Sequence, residues 1–340
     1  MAFPNVSDVV TTTIENRSKK AADNVTRNNA LFRRLEKKGN VRSFDGGRTI
    51  WQEVEYALNG TANWYSGYEV LNISPQSIFS AAEFYIRQAA VAVSISGLEE
   101  LQNAGEEQMI NLIAGRVKNA ENSLTTLIAS SGVYSDGTNA KAIGGLQFLV
   151  ASSPSTGVVG GIDRSAWQFW RNISYSSLTN GGAAASAANI RRYMDAVYVQ
   201  LVRGTDKPDL LVADNNYWLF YNESLQPLQR ITDAEMAEAG YQSLVYMGSP
   251  VVLDGGFQGF TSDPSQFGPT SGGTSIGGVP ANTMYFLNSD YIYYRPHSKR
   301  NFKPLSPDRF SINQDAMVKL IGWAGNMTLS NGRLQGVLTA

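Results

Sequence analysis

Apolar residues recur at Ile110, Ile113, Val117, Ala120, Leu124 and Leu127, a spacing of three and four that lines one face of an α-helix. Glu106 and Glu107 fall in its first turn, where negative charge suits the helix dipole. Ser130-Ser131-Gly132 ends the pattern, and Ser135-Asp136-Gly137-Thr138 follows as a turn. The spacing predicts a helix of about 22 to 26 residues, roughly 33 to 39 Å long at 1.5 Å rise per residue. The mean is about 11 to 12 residues, so this helix reads as the spine of the chain.

Ahead of the spine the period changes to two. Ile50, Gln52, Val54 and Tyr56 point one way, and Trp51, Glu53, Glu55 and Ala57 the other. Asn59-Gly60 is a hairpin turn signal, and Trp64, Tyr65, Tyr68, Val70 and Leu71 follow it. The pattern predicts a long β-hairpin with aromatics on both faces. A lone two-stranded hairpin is marginal in water, so this one needs a partner surface, in its own chain or in another. Residues 89–96, AAVAVSIS, read as a strand in a sheet beside the spine.

After the spine, residues 143–150 read as a buried strand. Residues 186–202 read as a helix with Ile190, Met194, Val197 and Leu201 on one face. Residues 209–212 make a short strand, and Asn215 or Asn216 caps a helix carrying Trp218, Leu219 and Tyr221. Residues 245–253 predict a strand pair around Pro250, and 284–294 one aromatic strand. Residues 315–329 and 334–337 are expected as closing strands. Residues 254–280 are rich in glycine and proline and read as a surface loop. The alternation of strands and helices predicts an α+β subdomain.

The charge is distributed unevenly. The first 42 residues hold nine basic side chains, among them Arg17, Lys19, Lys20, Arg33, Arg34, Lys37 and Lys38, against four acidic ones. Residues 43–130 hold four basic and ten acidic. Ser7 or Asp8, and Asn28 or Asn29, are candidate helix caps. This segment is either an ordinary amphipathic surface helix or an arm on a neighbouring subunit, with its basic face toward a polyanion.

Only 17% of the 340 residues are charged while 43% are hydrophobic. That charged fraction is below the usual quarter, so the surface is neutral and polar or is covered by other chains. The net charge of −1 does not suit a polyelectrolyte binder. With no cysteine, disulfides, thiolate metal sites and thiol catalysis are excluded. The one histidine, His297, lies in Arg-Pro-His-Ser-Lys-Arg, with no Gly-x-Ser-x-Gly elbow and no set of zinc ligands. Asp136-Gly137 and Asp254-Gly255 lack the spacing of a calcium loop, and no phosphate-binding loop is present. The chain has carboxylates enough for a two-carboxylate hydrolase, but no local motif selects a pair. No run of 18 apolar residues exists to span a membrane, and the opening MAFPNVSDVV lacks a signal-peptide pattern. Removal of a long propeptide is not expected.

The order of these parts resembles the major capsid proteins of tailed phages, with the Hong Kong 97-type fold. The resemblance spans nearly the whole chain. It is carried by ISGLEELQN, a helix ending in LIAS, the turn SDGT and the stretch GGLQFLV. SFDGGRTIWQEVEYALNGTANWYSGYE, RGTDKPDLLVADNNYW and QDAMVKLIGWAGNMTLSN add to it. Where the family has a Gly-Asp-Gly-Thr-like turn, this chain has Ser-Asp-Gly-Thr.

The resemblance implies an N-terminal arm over 1–42, an extended loop over 43–75, a P domain with the spine over 76–143 and an A domain over 144–294. Residues 295–340 would supply a P-domain return strand and closing A-domain strands. The implied function is structural, with no enzyme activity and no cofactor. Copies assemble as hexamers and pentamers into an icosahedral shell around double-stranded DNA bound without sequence specificity. A portal protein, a scaffolding protein during assembly and a decoration protein are the implied partners, with no membrane. A separate scaffolding protein is expected because no long N-terminal scaffolding extension is seen. The implied location is the virion, after assembly in the host cytoplasm. An encapsulin-type compartment shares the fold and stays open as an alternative.

On this reading Trp51, Glu53, Glu55, Trp64, Tyr65 and Tyr68 are interface residues. Arg33 and Arg34 are expected to meet acidic side chains such as Glu99 and Glu106 of a neighbour. Arg17, Lys19, Lys20, Lys37 and Lys38 are candidates to face DNA. Some family members link a loop lysine to a neighbour's asparagine, but residues 43–82 contain no lysine. A noncovalent shell is therefore expected.

Overall fold

The computed structural model describes residues 29–96, 106–225, 243–254, 278–305, 309–310 and 316–340. The first described element, helix α1 (Ala30–Lys37), starts where Asn29 caps it, its side-chain oxygen accepting from the amides of Leu31 and Phe32. Ala30, Leu31, Phe32 and Leu35 are buried, and the Phe32 ring lies 4.4 Å from that of Tyr294. The chain then forms a two-stranded ribbon, β1 (Thr49–Glu55) with β2 (Phe79–Tyr85), antiparallel in the register Trp51 opposite Glu83 and Glu55 opposite Phe79.

This corrects the expected hairpin. Asn59-Gly60 does not join two paired strands. The partner of β1 begins at Phe79, beyond the expected limit of the extended loop, and residues 57–78 form a long irregular tip. The alternation across β1 is as expected, with Ile50 and Val54 buried and Trp51, Glu53 and Glu55 exposed.

Strand β3 (Arg87–Ser96) pairs over ten residues with the long strand β14 (Ala316–Leu329). The opposite edge of β14 takes β11 (Ile292–Pro296), β12 (Lys303–Pro304) and β13 (Arg309–Phe310). The spine helix α2 (Glu106–Thr126) packs along β3 and ends in a π-helical turn, Leu127–Gly132. Val117, Ala120 and Leu124 are buried as the periodicity requires. Leu127, expected on the same face, is 49% exposed, and Ile128 is buried in its place. The wider π-helical turn advances the buried face by one residue.

The segment expected as a strand over 143–150 is instead a short helix, α3 (Leu146–Leu149), wedged against the spine's end. Two glycines make that possible. A Cβ on Gly145 would lie 2.3 Å from the Ser135 amide nitrogen and 2.5 Å from the Val133 carbonyl oxygen. Gly137 has φ +80°, and a Cβ there would meet the Phe148 ring at 2.5 Å. Asp136 closes the Ser-Asp-Gly-Thr turn by accepting from the Thr138 amide at 3.0 Å and hydroxyl at 2.8 Å.

After a two-residue ladder of β4 (Val158–Val159) with β5 (Ile162–Asp163), a second sheet of six strands runs β6 (Ile173–Ser176), β15 (Gly336–Thr339), β10 (Met284–Leu287), β7 (Leu210–Ala213), β9 (Ser249–Leu253) and β8 (Ser243–Tyr246). Helices α4 (Ile190–Leu201) and α5 (Asn215–Ser224) pack with it around a core that includes Met194, Val197, Tyr217 and Phe286. Three details depart from expectation. The cap of α5 is Asp214, which accepts from the amides of Asn216 and Tyr217. The β8–β9 turn is Met247-Gly248, with Pro250 inside β9. The aromatic strand over 284–294 is two strands, β10 and β11, in different sheets, separated by a 3-10 turn at Ser289–Tyr291. A buried cluster joins the arm, spine and second sheet. Asn29 donates to Asp254 at 3.0 Å and to the Ala129 carbonyl at 3.0 Å, and the Tyr134 hydroxyl donates to Asp254. Burial pushes the Asp254 carboxyl up to about 6, against these two hydrogen bonds.

Candidate subunit-interface site

The β1–β2 ribbon has a fixed base and an open tip. Ile50, Val54, Ala82 and Phe84 are buried on the inner face. The Thr328 hydroxyl donates to Gln52 at 3.2 Å, and the Asn326 amide donates to the Tyr85 carbonyl at 2.7 Å, so β14 holds the ribbon from below. At the foot of the tip the Tyr56 hydroxyl donates to the Ser77 carbonyl at 2.7 Å. The outer face exposes Trp51, Phe79 and Tyr85 together with Glu53, Glu55 and Glu83.

Beyond that foot the tip is bare. Trp64 is 96% exposed and Tyr68 fully so, and Leu58, Tyr65, Val70, Leu71 and Ile73 are exposed with them. The hydrogen bonds that shape the tip are local. Asn59 accepts from the Thr61 amide and hydroxyl, Asn72 from those of Ser74, and Glu69 from the Ser66 amide. Contiguous exposed apolar surface of this kind marks an interaction site in a stable protein. An open cleft of about 830 Å³ runs beside the foot, and its lining mixes Arg42, Glu53, Glu55 and Arg203 with Tyr293 and Asn331.

The structure brings Trp51, Glu53, Glu55, Trp64, Tyr65 and Tyr68 together on this ribbon. Phe79 and Tyr85 belong with them; the alternation Phe79, Ala81, Glu83, Tyr85 was the signal for a strand here. The arm residues sit elsewhere. Arg34 lies 3.1 Å from Asp209, and Lys38 lies 2.7 Å from Asp209 and 2.8 Å from Asp290, so both meet carboxylates of their own chain. Burial alone would raise the Asp209 carboxyl. Lys38 and the hydroxyl and amide of Ser289 outweigh it and hold the group below its ordinary value. Burial lowers and the two carboxylates raise the Lys38 ammonium, for a net rise. Arg33 is half-buried and Lys37 exposed. Arg17, Lys19, Lys20 and Glu99 lie outside the described residues, as does the glycine-rich stretch after Asp254, and the side chain of Glu106 is likewise not described.

Among the described residues no group of acidic or histidine side chains could hold a metal ion, and no helix is long and apolar enough to cross a membrane. The His297 ring accepts from the Lys299 amide at 3.0 Å and packs edge-on against Phe44.

No protein-family model matches the chain, and no curated protein matches it in sequence. Solved structures do match in fold. The cyanophage A-1(L) capsid asymmetric unit aligns over 89% of this chain and 91% of its own, with TM-score 0.58 and 15% identity. The capsid of the native GTA particle aligns over 89% and 88%, with TM-score 0.54 and 12% identity. A long spine helix beside a sheet, a projecting two-stranded ribbon and a second mixed sheet with helices give this chain the α+β Hong Kong 97-type fold of phage capsid subunits.

Proposed function

We propose that this chain is a major capsid protein that assembles as hexamers and pentamers into an icosahedral shell enclosing double-stranded DNA. The observation that carries the reading is the bare aromatic ribbon tip. Seven large apolar side chains are exposed between Leu58 and Ile73. At about 25 cal/mol per Å² of apolar surface, covering such a tip supplies a large share of an association free energy. Trp and Tyr are the residue types that dominate such contacts. The low charged fraction agrees with flanks covered by copies of the same chain.

The role is structural rather than enzymatic. On this reading the chain divides into an arm, an extended loop, a P domain and an A domain, with the loop's limit moved from 75 to Tyr85 to take in its return strand and β11 assigned to the P-domain sheet. The shell is held by noncovalent contacts, since no lysine lies between 43 and 82. Arg34 and Lys38 serve the subunit's own fold, while Arg33 and the basic residues before it are the ones to test as contacts to a neighbour or to DNA. Portal, scaffolding and decoration proteins are the partners such a shell takes, and the virion is its location.

Negative-stain microscopy of the purified protein, with and without a co-expressed scaffolding protein, tests this reading. Closed shells or six- and five-fold capsomers are expected. A uniformly monomeric protein under both conditions would sink it.

A further inference from the structure

A second uncharged feature lies at the foot of the ribbon. A cavity of about 290 Å³ is lined by Tyr56, Phe79, Ile162, Trp167, Phe169 and two serines. Tyr56, Trp167 and Phe169 form one ring cluster, with centroids 5.9 to 6.5 Å apart. Phe79 and Trp167 are more than half exposed, so the cavity opens to solvent. None of its lining residues is charged, in contrast to the cleft beside it.

The ribbon tip has matching chemistry. Between residues 57 and 78 the only charged side chain is Glu69. A tip of this kind loses little by leaving water for an uncharged aromatic wall. Among the charges of the neighbouring cleft it would strand Arg42, Glu53 and Arg203 without solvent. The tip does not fill the cavity of its own subunit. The ribbon leaves from the cavity's rim at Tyr56 and returns to it at Ser77, and Trp64 and Tyr68 touch almost nothing in their own chain. With about 11 residues each way, the tip reaches up to about 36 Å at 3.3 Å per residue. That is far enough to cross onto another subunit.

We propose that this uncharged aromatic cavity receives the ribbon tip of a second copy of the chain, with Trp64 as the leading side chain. The inference rests on the shell reading and names the surface that the tip meets. Knob and hole then lie at different places on one subunit, so copies add head to tail. A contact of this type closes into a ring when the rotation allows it.

Trp64→Ser removes the knob and Trp167→Ser removes a wall of the hole. Both side chains are exposed, and unchanged melting temperatures establish that each variant folds. Each variant alone is expected to lose ring and shell formation. Mixed in equal amounts they are expected to form a pair and stop, because one good knob and one good hole remain between them. Native mass spectrometry reads the pair directly. Tyr65→Cys combined with Ser80→Cys gives a second readout in a chain with no other cysteine. A short bifunctional maleimide is expected to link assembled copies into a ladder on a denaturing gel. Wild-type assembly by Trp167→Ser, a mixture without pairs, or the absence of a ladder would each overturn the inference. Those results leave the shell reading standing if the unmodified chain forms shells, whereas a monomeric unmodified chain removes both.

Discussion

Asn59 and Asn72 in the ribbon tip and Asp136 after the spine make the same local turn. In each, a side-chain oxygen accepts from the amide and the hydroxyl of the residue two positions on. Around Asp136 the turn is clamped: Gly137 lies against Phe148, and Gly145 lies against three backbone atoms of residues 132–135. Around Asn59 and Asn72 only further local hydrogen bonds hold the chain, and the apolar side chains face water. Local hydrogen bonds shape both stretches equally, so tertiary burial makes the difference. The first stretch is finished within the chain, and the second is left exposed, as the proposed interface requires.

Changes at the clamped stretch are expected to cost the most. Gly145→Ala puts a Cβ within 2.7 Å of three backbone atoms. It is expected to destabilise the subunit by about 3 kcal/mol or more, read as a lower denaturant midpoint. A wild-type midpoint would show that the spine's end yields more easily than its packing implies.

Asp254 sharpens the comparison through pH. Its carboxyl is raised to about 6 from an ordinary 3.8, so the folded chain holds a proton that the unfolded chain releases. Stability from this group is greatest below pH 3.8 and is lost as pH rises to about 6. The loss at neutral pH is about 3 kcal/mol at 1.36 kcal/mol per unit. Asp254→Asn keeps an acceptor for Tyr134 and Asn29. It is expected to stabilise the subunit at pH 7 by up to that amount and to do nothing at pH 4. Chemical denaturation at the two pH values checks both halves.

Lys38→Met tests the arm. It leaves Asp209 with Arg34 and Ser289, and a loss of about 1.5 to 3 kcal/mol is expected, typical of one hydrogen bond to a charged group. The Asp209 carboxyl is depressed, so its contribution is present above its ordinary value and disappears as the pH falls below it. The difference between wild type and variant should therefore shrink in acid.

The smallest stability effect is expected at the ribbon tip. Trp64→Ser with Tyr68→Ser should change the melting free energy of the isolated subunit by less than about 0.5 kcal/mol, as for surface positions without partners. Assembly should be lost all the same. A large loss of subunit stability would mean that the tip packs on its own chain.

Much of this contrast was legible in the residues. The two-faced alternation of β1, a cap at Asn28 or Asn29 and the apolar face of α4 follow from alternation, capping chemistry and helical spacing. So did the aromatic surplus of the ribbon, which no lone hairpin could bury. The strand partner of β1 was not legible, because Asn59-Gly60 and the longer closure at Phe79 both satisfy the local turn rules. The cavity at the ribbon's foot also escaped, since Tyr56, Phe79, Ile162 and Trp167 come from segments that only the fold brings together.

The order of residues alone determined the elements whose signals are local: the spine, its end at Ser130–Gly132, the alternating ribbon and the basic start of the chain. Tertiary structure alone decided the π-helical turn that exposes Leu127, the division of residues 284–296 between two sheets, and the helix rather than strand after Gly145. Each of these depends on what a segment packs against, and short-range patterning carries no information about a surface more than a hundred residues away. The same reason applies to the bare ribbon tip, whose cover, on the proposed function, belongs to a different molecule.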